Sequence, residues 1–319
     1  MKIEFKTAMH RLMEADDVLI LTHMSPDGDT LGGAFALLLG LRQAGKRAKV
    51  LCADGVPEMY RFLYVEPDAD FAEKYIVSVD VADRSLLGKT VEESYGDRVD
   101  LAIDHHGTNR LFAKESYVEP DAASACEIVY LLLLSMNVKI TKDIADRLYT
   151  GVSTDTGCFR YSNVTPRTFR IAADLMERGA DAAGINVKMF ETKKPGFLRL
   201  EQLVLQGMEL YEDGHICVLT ITRDMLARTG CKDDELDPIV ALSRQIEGVC
   251  IGITLKEKED GTWKVSVRTH EGADASRLCA AFGGGGHKRA AGCSFSCSRD
   301  EAVQALLTSA ASFLPCPER

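Results

Sequence analysis

The stretch VLILTHMSPDGDTLGGAFALLLGLRQAG, residues 18–45, decides the fold. Val18 to Thr22 is a continuous run of the kind expected in a strand buried on both faces of a parallel sheet. A helical stretch from about Leu31 to Gln43 follows and ends at Gly45, which suits a helix C-cap. Between strand and helix stand His23, Asp27 and Asp29, at the place where α/β sheets form their ligand crevice.

The same alternation continues outward. Ala48–Cys52, Tyr75–Val79 and Leu101–Ile103 read as strands, and helical stretches lie around Ala123–Met136 and Lys142–Thr150. This predicts an α/β fold whose first domain is an open, mostly parallel sheet with flanking helices. The pattern weakens from Asn186 to Gly196, and Lys193-Lys194-Pro195-Gly196 is basic and helix-breaking. The expected division is a domain over residues 1–185, a linker over 186–198 and a second domain over 199–319. In the second half, His215–Thr222, Val249–Lys256 and Thr262–Thr269 read as strands, the last two joined as a hairpin through Glu259-Asp260-Gly261. With helical stretches near Asp234–Glu247 and Ala302–Phe313, this predicts a smaller α+β domain.

Composition narrows the function classes. The 319 residues are 46% hydrophobic and 27% charged, as in a globular chain. The longest apolar run, Ile128–Leu134, is too short to cross a bilayer. The N-terminus lacks the unbroken apolar core of a signal peptide, which predicts a cytoplasmic protein with no membrane partner. The ten cysteines are then expected as reduced packing residues. Cys293 and Cys297 lie in a strand-like run, and no second pair stands nearby to complete a zinc tetrahedron. A net charge of −10 argues against duplex DNA as a partner. It does not exclude a short anionic substrate, because metal ions and a few arginines act at contact distance.

Four segments carry carboxylates or histidines: His23, Asp27 and Asp29 after the first strand, Asp80 after YIVSV, Asp104-His105-His106 after LAI, and Asp155 after a helix. Each has a bland reading. Asp29 can be a helix N-cap, His23 a structural histidine, and Asp80 with Asp83 a turn. Together they would repel strongly at one crevice unless cations neutralise them. Interleaved histidine and aspartate suit Mn²⁺ better than Mg²⁺.

HMSPDGDTLG, VSVDVAD, AIDHH and STDTGCFRYSNVTPRT resemble the four successive motifs of the DHH phosphoesterase superfamily. FGGGGHKRAAGCSF is similar to the glycine-rich signature of the associated DHHA1 domain. The resemblance spans essentially the whole chain. It implies a stand-alone enzyme that degrades short single-stranded RNA, dephosphorylates 3′-phosphoadenosine 5′-phosphate, or cleaves linear dinucleotides such as pApA. It also implies two divalent metal ions, Mn²⁺ ahead of Mg²⁺ or Co²⁺. One would be held by His23, Asp27, Asp80 and Asp155, the other by Asp29, Asp80, His105 and Asp155, with Asp80 and Asp155 bridging. His106 would face the substrate phosphate while Asp104 orients a neighbouring histidine. Cys158 departs from the family pattern, at a position that is not a ligand.

In the second domain, Gly283–Gly286 precede His287, Lys288 and Arg289. Gly284, Gly285 and Gly286 can offer successive N–H groups as an anion nest, although four glycines alone also suit a flexible surface loop. Arg268 resembles the DHHA1 arginine that contacts the non-scissile phosphate, a task its fork geometry fits. Trp263, Phe282 and Phe295 are expected in the core. Two competing readings are an inorganic pyrophosphatase of the same superfamily and a non-enzymatic nucleotide sensor. A homodimer is left open.

Overall fold

In the computed structural model, which describes residues 1–67, 70–232, 236–270 and 272–314, the chain separates into two compact units, one of Met1–Thr192 and one from Lys193 onward. The first unit carries strands β1 (Val18–Leu21), β2 (Ala48–Leu51), β3 (Tyr75–Val79), β4 (Leu101–Asp104) and β5 (Glu115–Val118). Its helices are α1 (Phe5–Glu14), α2 (Gly28–Gln43), α3 (Lys89–Tyr95), α4 (Ala125–Ser135), α5 (Lys142–Asp155), α6 (Pro166–Glu177) and α7 (Ala182–Asn186). The five strands form one parallel sheet in the order β2-β1-β3-β4-β5. Val18 stands opposite both Ala48 and Tyr75, so β1 is interior and its four residues are buried. The order reverses between β1 and β3, and at such a switch point the connections diverge and leave a crevice at the strands' carboxyl ends.

Helix α2 is almost wholly buried, in keeping with its lack of a polar face. It packs tightly on α5 because neither helix carries bulk at the contact. A Cβ on Gly32 would come within 2.4 Å of the Arg147 carbonyl. Helix α5 runs on past Thr150, the end expected from sequence, and Asp155 is its last residue. Strand β5 has no counterpart in the sequence reading; ESYV is short and only two of its four residues are buried.

The second unit contains α8 (Pro195–Gln206), β6 (Glu209–Tyr211), β7 (Ile216–Ile221), α9 (Arg223–Thr229), α10 (Asp237–Leu242), β8 (Ile251–Glu257), β9 (Trp263–Thr269), α11 (Ala275–Ala280), β10 (Gly285–His287), β11 (Ala290–Phe295) and α12 (Arg299–Ala310). Its sheet runs β10-β11-β9-β8-β7-β6, antiparallel apart from the β7–β8 pair. The Lys193–Gly196 stretch opens a helix as well as interrupting one. Pro195 takes the first helical turn of α8, where its missing N–H costs nothing. The expected helix over Asp234–Glu247 is shorter, with a 3₁₀ turn at Ser243–Gln245, and residues 233–235 lie outside the described residues. Trp263 is in the core of this unit, and Phe282 and Phe295 pack against that core with their own rings 5.0 Å apart. All nine described cysteines are free thiols. No helix among the described residues is long and apolar enough to cross a membrane.

Candidate active site

The site grows from the loops that leave β1, β3 and β4. After β1, the His23 ring sets Nδ1 2.8 Å from the Met24 carbonyl, which leaves Nε2 facing the crevice. Asp27 caps α2, accepting from the N–H groups of Asp29 and Thr30 at 3.0 and 3.1 Å. The N-cap role considered for Asp29 therefore belongs to Asp27. Asp29 instead reaches α4 and accepts from Ala125 N at 2.6 Å and Cys126 N at 2.9 Å. A carboxylate at a helix N-terminus meets both free N–H groups and the positive end of the dipole.

Asp80 follows β3 with φ +61°, a left-handed conformation uncommon outside glycine and of the kind that collects at functional sites. Its N–H donates to the Ile103 carbonyl at 2.9 Å, and its Oδ1 is buried without a hydrogen-bond partner. Asp104, the last residue of β4, is fully buried. It accepts from His105 N at 2.8 Å and Asn109 Nδ2 at 2.6 Å, and its Oδ1 lies 2.8 Å from His106 Nδ1. His105 places Nδ1 3.1 Å from the Ala122 carbonyl, again leaving Nε2 for the crevice.

These side chains converge. His23 Nε2 lies 3.7 Å from both Asp27 Oδ1 and Asp80 Oδ2. His105 Nε2 lies 3.8 Å from Asp29 Oδ2, 3.5 Å from Asp80 Oδ1 and 3.6 Å from Asp155 Oδ2. Three groups each bring their donor atoms within 4.8 Å of one another: His23, Asp27 and Asp80; Asp80, His105 and His106; Asp29, His105 and Asp155. Asp104 stands behind His106 and belongs to none of the three, whereas His106 joins one of them.

The electrostatics are those of crowded charge. Burial, with the charges of Asp80 and Asp155 adding to it, pushes Asp29 well above the usual carboxylate range. Burial is also the main cause that lifts Asp155 to about 7, opposed by His105 and reinforced by Asp80. For His23 burial works against the charged ring, but Asp27 and Asp80 outweigh it and raise its pKa to about 11. His106 is raised to about 9 in the same way, by Asp104 and Asp80 against burial. The cluster thus holds protons where divalent cations would serve better. The unpartnered buried Oδ1 of Asp80 and the mixed imidazole and carboxylate donors fit such ions.

Other polar residues serve the backbone. Asp83 accepts from Ser85 N and Oγ, a local turn. Thr156 Oγ1 donates to the Val152 carbonyl at 2.6 Å, and Ser25 N donates to Asp54. Sequence reasoning missed Asn109 and Asn163, whose Nδ2 donates to the Ala123 and Asp155 carbonyls at 2.9 and 3.1 Å. Neither carried a signal of its own in the sequence.

In the second unit, Arg268 lies on β9 between Gly252 and Ala290, with Nη1 3.1 Å from its neighbour's carbonyl at Val267. The glycines form a tight hairpin rather than a loose loop. Gly283 N and Gly284 N donate to the Ala280 and Cys279 carbonyls and close α11, while Gly285–His287 pair with β11. Arg289 donates to the His270 carbonyl, and Lys288 accepts from Ala275 N at 2.8 Å. The His287 side chain lies outside the described residues.

Comparison with known proteins agrees with this architecture. Residues 17–152 match the DHH family, N-terminal domain, and residues 213–314 match the DHHA1 domain. A Thermus thermophilus protein named bifunctional oligoribonuclease and PAP phosphatase NrnA is 34% identical over 282 residues, 86% of this chain and 83% of that protein. A Bacillus subtilis protein of the same name is 28% identical, with 94% and 96% covered. The solved structure of an exopolyphosphatase-related protein from Bacteroides fragilis superposes with a TM-score of 0.88 at 24% identity, covering 97% and 96% of the two chains. With an N-terminal DHH domain followed by a DHHA1 domain, this chain belongs to the DHH phosphoesterase family and is a metal-dependent hydrolase of phosphoester bonds.

Proposed function

We propose that the enzyme is an exonuclease of very short oligoribonucleotides that also removes phosphate from 3′-phosphoadenosine 5′-phosphate and cleaves linear dinucleotides such as pApA. The observation that carries this is a complete donor set, in a chain that aligns over 86% of its length with a relative named for both of the first two activities.

We assign His23, Asp27, Asp80 and Asp155 to one Mn²⁺ and Asp29, Asp80, His105 and Asp155 to a second, with Mg²⁺ or Co²⁺ as substitutes. Bound there, such a pair supplies a water of lowered pKa and neutralises charge on the phosphate oxygens. The chain's own part is to hold and orient. Met24 and Ala122 carbonyls fix the tautomers of His23 and His105, so each offers a bare Nε2. Asp104 orients His106 through Nδ1 and favours its doubly protonated ring, so that Nε2 carries a proton that we assign to a phosphate oxygen.

We further propose that residues 1–185 form the catalytic domain and 199–319 the substrate domain, joined through 186–198. In the latter, Arg268, Gly284–Gly286, His287, Lys288 and Arg289 take a second phosphate. A chain of net charge −10 favours small anions over duplex DNA, in a cytoplasmic enzyme that tolerates a homodimer.

The test is a panel of 2-, 5- and 20-nucleotide RNAs, 3′-phosphoadenosine 5′-phosphate, pApA and pyrophosphate, each with Mn²⁺, Mg²⁺ or Co²⁺. Rates should fall steeply with RNA length and be highest with Mn²⁺. Equal rates on all three RNAs would refute the length preference. Pyrophosphate as the best substrate would replace the reading with a pyrophosphatase, and tight binding without turnover would make the chain a sensor.

A further inference from the structure

We infer that Arg167 is a positioning residue: one guanidinium fastens both ends of the segment 119–127, whose backbone holds the metal ligands in place. The inference rests on the metal-dependent reading above.

Residues 119–127 connect β5 to the first turn of α4 and contribute no ligand side chain. Their backbone nevertheless touches the candidate ligands at several points. The Ala122 carbonyl orients His105 at 3.1 Å. Ala125 N and Cys126 N hold the two oxygens of Asp29 at 2.6 and 2.9 Å. The Ala123 carbonyl shares Asn163 Nδ2 with the carbonyl of Asp155. Glu119 N donates to the carbonyl of Asp104 at 3.0 Å. A shift of this segment by a fraction of an ångström would move three ligands at once.

The segment's own bonds are few. Ala122 N donates to the Glu119 carbonyl at 3.0 Å, and the Ser124 hydroxyl caps Glu127 N at 3.2 Å. Glu127 occupies the position from which a glutamate ordinarily reaches back to the capping residue. Here its fully buried side chain turns to Arg167 instead, with Oε2 3.1 Å from Nε. Arg167 Nη1 donates to Glu119 Oε1, and the other oxygen of Glu119 takes the Tyr117 hydroxyl at 2.9 Å. The guanidinium therefore spans two carboxylates eight residues apart. It does so without pairing fully with either, since Arg167 Nη2 and Glu127 Oε1 are buried with no hydrogen-bond partner. A local ion pair built for stability would use both forks on one carboxylate. Arg167 is itself anchored in the first turn of α6, between Pro166 and a Thr165/Thr168 capping box. Lysine cannot span the two carboxylates in this way, because it offers a single charged nitrogen.

The experiment uses the full chain, stripped of metal, with Mn²⁺ titrated by calorimetry and the metal-free melting midpoint read in parallel. Arg167→Met should bind Mn²⁺ about 10–100-fold more weakly, the range for losing a partner behind the ligands. Arg167→Lys and Glu119→Gln should fall between it and wild type, and Glu119→Gln with Arg167→Met should be no weaker than Arg167→Met alone. Arg178→Met, which removes an ion pair to Asp174 at the far end of α6, should keep wild-type affinity. A merely structural arginine would lower the melting midpoint and leave Mn²⁺ affinity of the folded protein unchanged. Wild-type affinity in Arg167→Lys and Glu119→Gln overturns the inference, even if Arg167→Met fails to fold. No Mn²⁺ binding by the wild-type protein overturns the metal reading itself.

Discussion

His106 Nδ1 lies 2.8 Å from Asp104 Oδ1, and Asp104 is fully buried with its other oxygen held by Asn109 at 2.6 Å. The pair fixes the histidine with a proton on Nδ1 and Nε2 turned outward, one residue from His105, the proposed metal ligand.

Asp104→Asn keeps the shape of this contact and removes the charge that supports a protonated ring. Turnover should fall by about 10²–10⁴-fold, the usual worth of a positioned acid or base. Mn²⁺ affinity should change much less, because Asp104 stands outside the donor groups. Steady-state kinetics beside calorimetric Mn²⁺ titration checks both; an equal loss in each would make Asp104 a support for the metals instead.

Asp80 is the residue that both His23 and His105 approach, at 3.7 and 3.5 Å. Asp80→Asn should abolish turnover by at least about 10³-fold, a loss of several kcal/mol of transition-state stabilisation. Asparagine tolerates the left-handed backbone at φ +61°, so the variant should melt as a folded protein. Asp80→Val, β-branched at the same φ, should lose stability as well. Substantial activity in Asp80→Asn would refute the bridging role.

The metal-free protein should lose stability as pH rises from 5 to 9. Asp155 is raised to about 7 and Asp29 well above the usual range, both first through burial. His106 and His23 are raised to about 9 and about 11 by their carboxylate partners against burial. Each of these groups binds its proton more tightly in the folded state. The carboxyl contributions are full below about 4 and fade as pH climbs toward the folded values; the histidine contributions are full below about 6.5 and fade through about 9 and 11. Asp27 and Asp104, held low by His23 and His106 against burial, act oppositely, but their contribution is complete by about pH 5. Calorimetry of chelator-treated protein should show the falling midpoint. Excess Mn²⁺ should flatten it, with a stabilisation that grows with pH. A metal-free midpoint that rises across this range would contradict the charge balance described for the site.

The acidic and imidazole side chains were legible in the sequence because a parallel sheet gathers the loops at its carboxyl ends, and residues after strands must meet there. His23, Asp80 and His105 share no local sequence neighbourhood, yet β1, β3 and β4 are adjacent. What escaped was whatever acts through backbone atoms. The N–H groups of Ala125 and Cys126 that hold Asp29 are carried by residues whose side chains say nothing of the role. Arg167 and Glu119 lie 48 positions apart and meet only through tertiary packing. The glycine run was ambiguous for a related reason. Glycine reports only that a side chain is unwelcome, and the reason for it differs between neighbours.

That difference is measurable at Gly284 and Gly285. A Cβ on Gly284 would come within 2.2 Å of the Gly292 carbonyl and 2.6 Å of Cys293 Cβ, so the hairpin would have to open away from β11. A Cβ on Gly285 would meet nothing within 4 Å. Gly284→Ala should therefore destabilise the second unit by about 1–3 kcal/mol, the range for forcing a methyl into packed structure. It should also raise KM for a dinucleotide, since β10 carries the proposed anion-binding glycines, while Mn²⁺ affinity in the first unit stays as in wild type. Gly285→Ala should leave the melting midpoint nearly unchanged. Any rise in KM in that variant would then come from its blocking approach to the backbone, separating the nest from the packing that builds it. If Gly285→Ala binds and turns over the dinucleotide as wild type does, the phosphate is held by Arg268 and its neighbours without the glycine N–H groups.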